Sequence, residues 1–370
     1  MAHRLLGGLT PATFLRRHWQ KRPHFVRDAV ACCGAWLQPE SLFELACRDD
    51  VESRVVTRAR GRWRVEHGPF TRHKLHRMPE RGWTLLVQGV EQFHPEAATL
   101  LQSFAFIPHA RLDDLMVSYA AAGGGVGPHF DSYDVFLLQG AGARRWRISA
   151  QQDRALLANA PLRILKNFHP QHEWVVEPGD LLYLPPRHAH EGVALTPCMT
   201  LSVGFRAPCK QALAENFLDF LQDELHLEGM IEDPGLPLQR HPAQLPSFLV
   251  DKFARVVNSI QWNHADIQRF AGCTLSEPKP QVVFQRPQRS MTLGNFVKRV
   301  MKQGIRLALP TRMLFAGMRV FINGECHAIG RCNRDALVRL ADTRAAPAFV
   351  PSPATARLLH AWHGAGYIHV

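Results

Sequence analysis

The sequence predicts an α+β protein: an antiparallel β barrel or sandwich, then a helical segment, then a small winged-helix-like unit. Three observations carry this. Between Leu115 and Phe205, short apolar β runs are punctuated by GGGVGP, QGAGA, EPGD and PPR, the turn spacing expected of an antiparallel barrel or sandwich. After Ala207-Pro208, Leu213, Phe217, Phe220, Leu221 and Leu225 recur at three- and four-residue steps, a helical period. Beyond the Pro-rich SEPKPQVVFQRPQ, which reads as a linker over 276–288, comes a hairpin-like RMLFAGMRVFINGECHAIG turning at Asn323-Gly324.

Taken in order, Thr10-Pro11 opens a helix with a hydroxyl cap and Pro at the first helical position, and Phe14, Leu15 and Trp19 give it an apolar stripe. A second short helix runs from Leu37 to Cys47. Strand-like segments follow at Ser53 to Thr57, Arg62 to Glu66 and Trp83 to Val90, and helix returns over Pro95 to Phe104. The β region 115–205 comes next. Helical periodicity then covers about 60 residues, with Phe248 to Val257 repeating the apolar stripe. In the third unit, helices are expected over Leu293 to Gln303, from Asn333, and over Pro353 to His363, with a two-stranded wing between the first two.

Length and composition agree with several cores. The 370 residues are 46% apolar, more than one hydrophobic core usually serves. Lys and Arg outnumber Asp and Glu 44 to 32, a net +12, which favours an acidic partner or reflects a basic, well-solvated surface. The eight Cys (32, 33, 47, 198, 209, 273, 326 and 332) form no C-x-x-C pair, which argues against a zinc ribbon or thioredoxin-like site and for reduced thiols. MAHRLLGGLTPATFLRRHWQKR lacks the apolar core of a signal peptide, and no uncharged apolar run is long enough to span a bilayer. The expected location is the cytoplasm, away from membranes.

The chemistry is expected in the β region. In GGGVGPHFDSYDVFLLQG, His129 and Asp131 stand two residues apart before a strand-like run, so an imidazole and a carboxylate can face one ion. Gly179 and Pro185 lead to His190, the spacing of the second cupin motif, as Gly123 to His129 is of the first. Two His and one carboxylate form the facial triad of non-haem iron oxygenases, leaving positions for a bidentate co-substrate and dioxygen. His188 is the alternative third ligand. The bland alternative is a hydrogen-bonded His129–Asp131 pair without metal.

If iron binds, 2-oxoglutarate needs a cation at its distal carboxylate. In Gly142-Ala-Arg-Arg-Trp-Arg-Ile148, alternation puts Arg144 on the apolar face with Trp146 and Ile148, costly unless it meets an anion. Arg144 is the candidate clamp, with an internal ion pair to Asp134 or Asp180 as the alternative. Ser118 is a second candidate donor, ahead of Thr200 and Ser202. A cationic substrate would want carboxylates and aromatic faces, for which Asp134, Tyr133, Asp113 and Asp114 are candidates.

The segments DDLMVSYAAAGGGVGPHFDSYDVFLLQGAGARRWRI, EPGDLLYLPPRHAHEG and LSVGFRAP resemble the bacterial ribosomal oxygenases, JmjC-type arginyl hydroxylases related to the human nucleolar ribosomal oxygenases. The resemblance implies a double-stranded β-helix (JmjC/cupin-type barrel) over 1–207, a helical dimerisation segment over 208–280 and a winged-helix-like domain over 281–370. It implies Fe(II) on His129, Asp131 and His190, 2-oxoglutarate on Arg144 as co-substrate with O2, and a homodimer. The implied reaction is hydroxylation at the β-carbon of an arginine in large-subunit ribosomal protein sixteen. Two departures stand out: Ala120 replaces a second Ser, and Arg187-His188 replaces a Gly-containing turn before His190. Other classes remain open: a small-molecule cupin oxygenase with a closed apolar pocket, or a non-catalytic barrel binding RNA or protein. Lys298, Arg299, Lys302 and Arg306 invite a nucleic-acid contact, though a solvated basic face is the expectation.

Overall fold

The computed structural model describes residues 2–31, 34 and 36–370. Cys32 and Cys33 lie outside the described residues; the other six Cys are free thiols. The N-terminal part contains α1 Ala2–Leu5, α2 Pro11–Arg17, β1 His24–Val26, α3 Pro39–Ala46, β2 Ser53–Ala59, β3 Arg62–His67, α4 Arg72–His76, β4 Trp83–Val87 and α5 Pro95–Gln102. The β region contains β5 Leu112–Ala120, β6 His129–Phe130, β7 Val135–Ala141, β8 Arg144–Ser149, β9 His172–Val176, β10 Leu181–Leu184, β11 Ala189–Ala194 and β12 Cys198–Phe205. Then come α6 Lys210–Glu224, α7 Ser247–Ser259, α8 His264–Ser276, α9 Leu293–Gln303, β13 Ile305–Leu307, β14 Met313–Ala316, β15 Arg319–Ile322, β16 Glu325–Ala328, α10 Arg334–Thr343, β17 Ala345–Ala346, α11 Pro353–Ala365 and β18 Ile368–His369.

Among the described residues the strands of the catalytic half form an eight-stranded sheet, β1-β10-β7-β12-β5-β4-β2-β3, and a four-stranded one, β6-β11-β8-β9. The larger sheet reaches beyond the expected 115–205 region because β1 pairs with β10 at one edge and β4-β2-β3 continue from β5 at the other. Period-two alternation divides its faces. On β5, Leu115 and Val117 join the core with Phe14, Leu42, Phe104 and Tyr183 from α2, α3, the end of α5 and β10, while Asp114, Met116 and Ser118 line a cavity between the sheets. Each fully buried Leu or Phe in that core contributes roughly 1.5–3 kcal/mol. The Thr10 hydroxyl accepts from the Thr13 N–H at 3.2 Å, so α2 starts where the sequence places its cap.

The helical segment is less continuous than its periodicity suggests. Residues 225–246 separate α6 from α7 without regular structure, and Pro234, Pro237, Pro242 and Pro246 punctuate that stretch. The wing also differs from expectation. It is a three-stranded meander, β14-β15-β16, with one turn at Gly317 and a second at Asn323-Gly324; the Ala-Gly-Met turn was the signal for the extra strand. Helix α8 packs on this meander, and Gly272 lets the Phe321 ring lie directly on the helix backbone. Phe296, Val300, Leu337, Leu340, Leu359 and Trp362 form the core of the C-terminal unit.

Candidate active site

Short β6 pairs with β11 so that His129 stands directly opposite His190, and Asp131 follows one residue beyond β6. The ligand atoms of the three side chains lie within 4.8 Å of one another. His190 Nε2 is 3.4 Å and His129 Nε2 3.8 Å from the Asp131 carboxylate. Each imidazole has its other nitrogen tied down: Nδ1 of His129 lies 2.9 Å from the Gly127 carbonyl, and Nδ1 of His190 lies 3.0 Å from that of His188. A carbonyl can only accept, so Nδ1 of each ring donates, which leaves Nε2, on the Asp131 side, as the atom each imidazole can offer to a metal. His188 contributes its carbonyl, and its ring stays outside the cluster.

The three side chains set one another's protonation. Burial and the neighbouring His190 push His129 down to about 4, so it is neutral at physiological pH. Burial would raise Asp131, but His190, His129 and Arg54 outweigh it and hold the carboxyl below its usual range. At His190 burial would lower the pKa, and the Asp131 carboxylate reverses the sign. Local backbone geometry serves the same end. Gly127 adopts φ +80° just before His129. A side chain on Gly192 would meet the Trp146 ring at 2.6 Å, and that ring is 5.9 Å from His190. Arg187, in the turn before His188, takes φ +68°, a conformation glycine adopts at less cost; its N–H donates to the Asp131 carbonyl at 3.0 Å.

Arg144 lies at the far end of the same cavity, of about 400 Å³. It is 5% exposed. Nη1 is 3.5 Å from Ser118 Oγ, the guanidinium sits 5.6 Å from the Trp146 ring centre, and Nε and Nη2 have no hydrogen-bond partner among the described residues. The alternative ion pairs do not form. Asp134 is on the opposite face of the large sheet, bonded to Tyr183 Oη at 2.6 Å and Gln20 Nε2 at 2.9 Å, and Asp180 is held by Arg27 and the Asp28 and Glu177 amides. Of the weaker candidates, Ser202 lines the cavity, whereas Thr200 Oγ1 donates to Gln139 at 2.9 Å.

Residues 99–213 match the JmjC domain family and 259–369 the ROXA-like winged helix. The chain is 36% identical over 317 residues to the ribosomal protein uL16 3-hydroxylase of Escherichia coli strain K12, covering 84% of each chain. The crystal structure of E. coli YcfD superposes with a TM-score of 0.85 at 33% identity over 98% of both chains. A YcfD structure in complex with cobalt and 2-oxoglutarate superposes with a TM-score of 0.81 over the same share. The chain belongs to the JmjC-type ribosomal oxygenases.

In this ribosomal oxygenase the two facing sheets are thus the JmjC cupin-type barrel, and the C-terminal unit is the family's winged helix. Of the candidates for a cationic substrate, Tyr133, Asp113 and Asp114 line its cavity and Asp134 does not. Lys279, from the Pro-rich linker, reaches into it, with Nζ 2.8 Å from Asp114 and 3.7 Å from Asp113. Like Lys279, two more cavity residues were not legible in the sequence. Thr84 on β4 faces Ala120 across the strands, with its hydroxyl buried and unpartnered among the described residues, so a hydroxyl from the neighbouring strand stands beside the alanine. A lone Thr in the apolar run Trp83–Val87 was its only signal. Arg54 on β2 lies close enough to the triad to act on both His129 and Asp131.

Proposed function

We propose that this chain is an Fe(II)- and 2-oxoglutarate-dependent dioxygenase that hydroxylates the β-carbon of an arginine in large-subunit ribosomal protein sixteen. The observation that carries it is the pairing, in one cavity, of a preorganised His-Asp-His donor set with a buried guanidinium two of whose nitrogens lack partners among the described residues. His129, Asp131 and His190 would hold Fe(II), and Arg144 with Ser118 would hold the distal carboxylate of 2-oxoglutarate. The bound metal with O2 supplies oxidative decarboxylation of 2-oxoglutarate and transfer of one oxygen atom to a C–H bond. The chain's own residues do the positioning. Gly127 and His188 carbonyls orient the imidazoles, Trp146 keeps water from the guanidinium, and Asp114 and Tyr133 in the cavity lining receive the substrate's cationic side chain.

A small-molecule oxygenase would want a closed apolar pocket. The lining of this cavity instead includes Glu52, Arg54, Asp113, Asp114 and Lys279, suited to a charged peptide side chain. We assign 1–207 to catalysis, 208–280 to dimerisation and 281–370 to the winged helix, with α8 of the second segment leaning on the third. The homodimer is supported by the uncovered apolar faces of α6 and α7. No helix among the described residues is long and apolar enough to cross a membrane, and a ribosomal substrate is met in the cytoplasm.

The test is anaerobic titration with Fe(II) and 2-oxoglutarate, following the visible charge-transfer band, then O2 with ribosomal proteins and intact-mass detection. A band followed by gain of one oxygen on one ribosomal protein is expected. A band that survives Asp131→Ala and His190→Ala would remove the metal assignment, and a band without any mass gain would remove the substrate.

A further inference from the structure

The positive charge of this protein is concentrated at one end. Residues 281–370 hold 13 Lys and Arg against three Asp and Glu, so the remaining 280 residues are nearly neutral. Arg319 contacts the Ala265 carbonyl and Arg334 pairs with Asp335; the other 11 basic residues of the C-terminal unit fall into two groups. Arg312 and Arg344 are turned inward: Arg312 donates to the Asp113 carbonyl of the catalytic half, and Arg344 to the Ala308, Leu309 and Thr311 carbonyls. Arg286, Arg289, Lys298, Arg299, Lys302, Arg306, Arg331, Arg339 and Arg357 are exposed and enter no ion pair among the described residues.

Arg306 and Arg339 line one cleft, and Lys298, Arg299 and Lys302 lie on the helix that leads to it. It has a volume of about 450 Å³ and is lined by Gln303, Gly304, Arg306, Arg339, Thr343 and His369 among others, all from the C-terminal unit. No residue of the catalytic half lines it. No Asp or Glu side chain lines it, and Val370, the last residue of the sequence, does. Lys302 immediately precedes its Gln303 edge, and Lys298 and Arg299 lie four and three residues earlier on the same exposed side of α9, whose Phe296 and Val300 face the core. The unit's acids are elsewhere: Glu325 bonds Tyr367 and His327 on the wing, Asp335 stands beside Arg334, and Asp342 lines the seam with His109.

We propose that this outer face binds the phosphate backbone of RNA. Unpaired cations at this density repel one another unless a polyanion covers them. No Phe, Tyr or Trp lines the cleft, so bases have no platform on which to stack, and the contact is with phosphates, independent of sequence. Arg306 and Arg339 on facing elements grip the backbone, and Lys298, Arg299 and Lys302 extend the track along α9. The site lies outside the cavity, so it holds an RNA-bearing particle while the cavity works on a protein chain.

The test uses the full chain, without iron or co-substrate, so its outcome is separate from that of the proposed oxygenase activity. Anisotropy of a short fluorescein-labelled RNA hairpin is measured against salt. Five phosphate contacts predict a log–log slope of about −4. Lys302→Glu with Arg306→Glu is expected to weaken binding tenfold or more, and the milder Lys302→Gln with Arg306→Gln severalfold, both with unchanged circular dichroism and thermal midpoint. Absence of binding at low salt, or binding indifferent to both variants, overturns the proposal. Equal displacement of the RNA by polyglutamate at matched charge also overturns it and points to an acidic protein.

Discussion

The barrel interior and the helices that follow it are incomplete in opposite ways. The barrel interior buries its apolar residues, and what it leaves unsatisfied is polar: two nitrogens of Arg144 and the Thr84 hydroxyl, beside three converging His and Asp side chains. Helices α6 and α7 satisfy their backbone and leave apolar surface uncovered; Leu218 is 64% and Phe253 52% exposed, and α7 buries none of its residues. An unpaired buried charge points to a small charged ligand, since only an anion repays its desolvation. An unpartnered apolar stripe points to another protein surface. The kind of deficit thus tells what completes each region.

The most direct way to break this reading is to remove the deficit in the barrel. Arg144→Met deletes the buried cation while keeping an apolar stem against Trp146. Loss of charge-assisted bonds to a carboxylate costs about 3 kcal/mol, so the KM for 2-oxoglutarate should rise roughly 100-fold. The metal-free, co-substrate-free protein should become more stable, its melting temperature rising a few degrees, because an uncompensated charge is gone. Steady-state kinetics and calorimetry read the two effects. If affinity falls and stability falls with it, Arg144 is a structural residue.

For the helical segment the corresponding change adds charge to the uncovered stripe. Leu218→Glu with Phe253→Glu should convert a dimer to a monomer in light scattering, since two carboxylates would be buried without partners. Folding of the monomer should be little affected, because both side chains are already half-exposed or more. An unchanged molar mass would show that the apolar face of α6 and α7 is not the contact.

These contrasts explain how much could be read from the sequence. His129, Asp131 and His190 were legible because motif spacing records strand register, and Arg144 because an Arg on an apolar face violates alternation. Tyr133, Asp113 and Asp114 were legible as local chemistry. Asp134 misled because residues adjacent in the loop between β6 and β7 look alike in sequence yet reach different surroundings, and it serves Tyr183 and Gln20 instead. Thr84 and Arg54 were invisible because they come to the cavity from strands some 50 to 80 residues earlier in the chain, and Lys279 because a linker's composition does not say where its one Lys lands. The third strand of the meander was lost for a simpler reason: Asn323-Gly324 is the stronger turn signal and hid the one at Gly317.

A third region, the seam between the two halves, tests whether a buried charge with partners behaves differently from Arg144. Glu91 is buried, and its Oε2 accepts from the Leu115 N–H at 3.0 Å. Burial, and then the nearby Asp114 charge, raise it from 4.5 to about 7, against opposing backbone hydrogen bonds and Arg312. A raised acid holds its proton in the folded state after the unfolded chain has lost it. Stability linked to Glu91 is therefore full below the unfolded value of 4.5, falls between there and about 7, and is lost above. Glu91→Gln keeps an oxygen for the Leu115 N–H and removes the ionisation, so it should match the wild type at about pH 5 and exceed it at about pH 8 by about 1–3 kcal/mol, a few degrees in melting temperature. Melting curves across that range decide the matter. Equal losses for both proteins as pH rises would mean that Arg312 and Arg344 already neutralise the Glu91 carboxylate, which would make the seam, unlike the barrel interior, electrostatically complete.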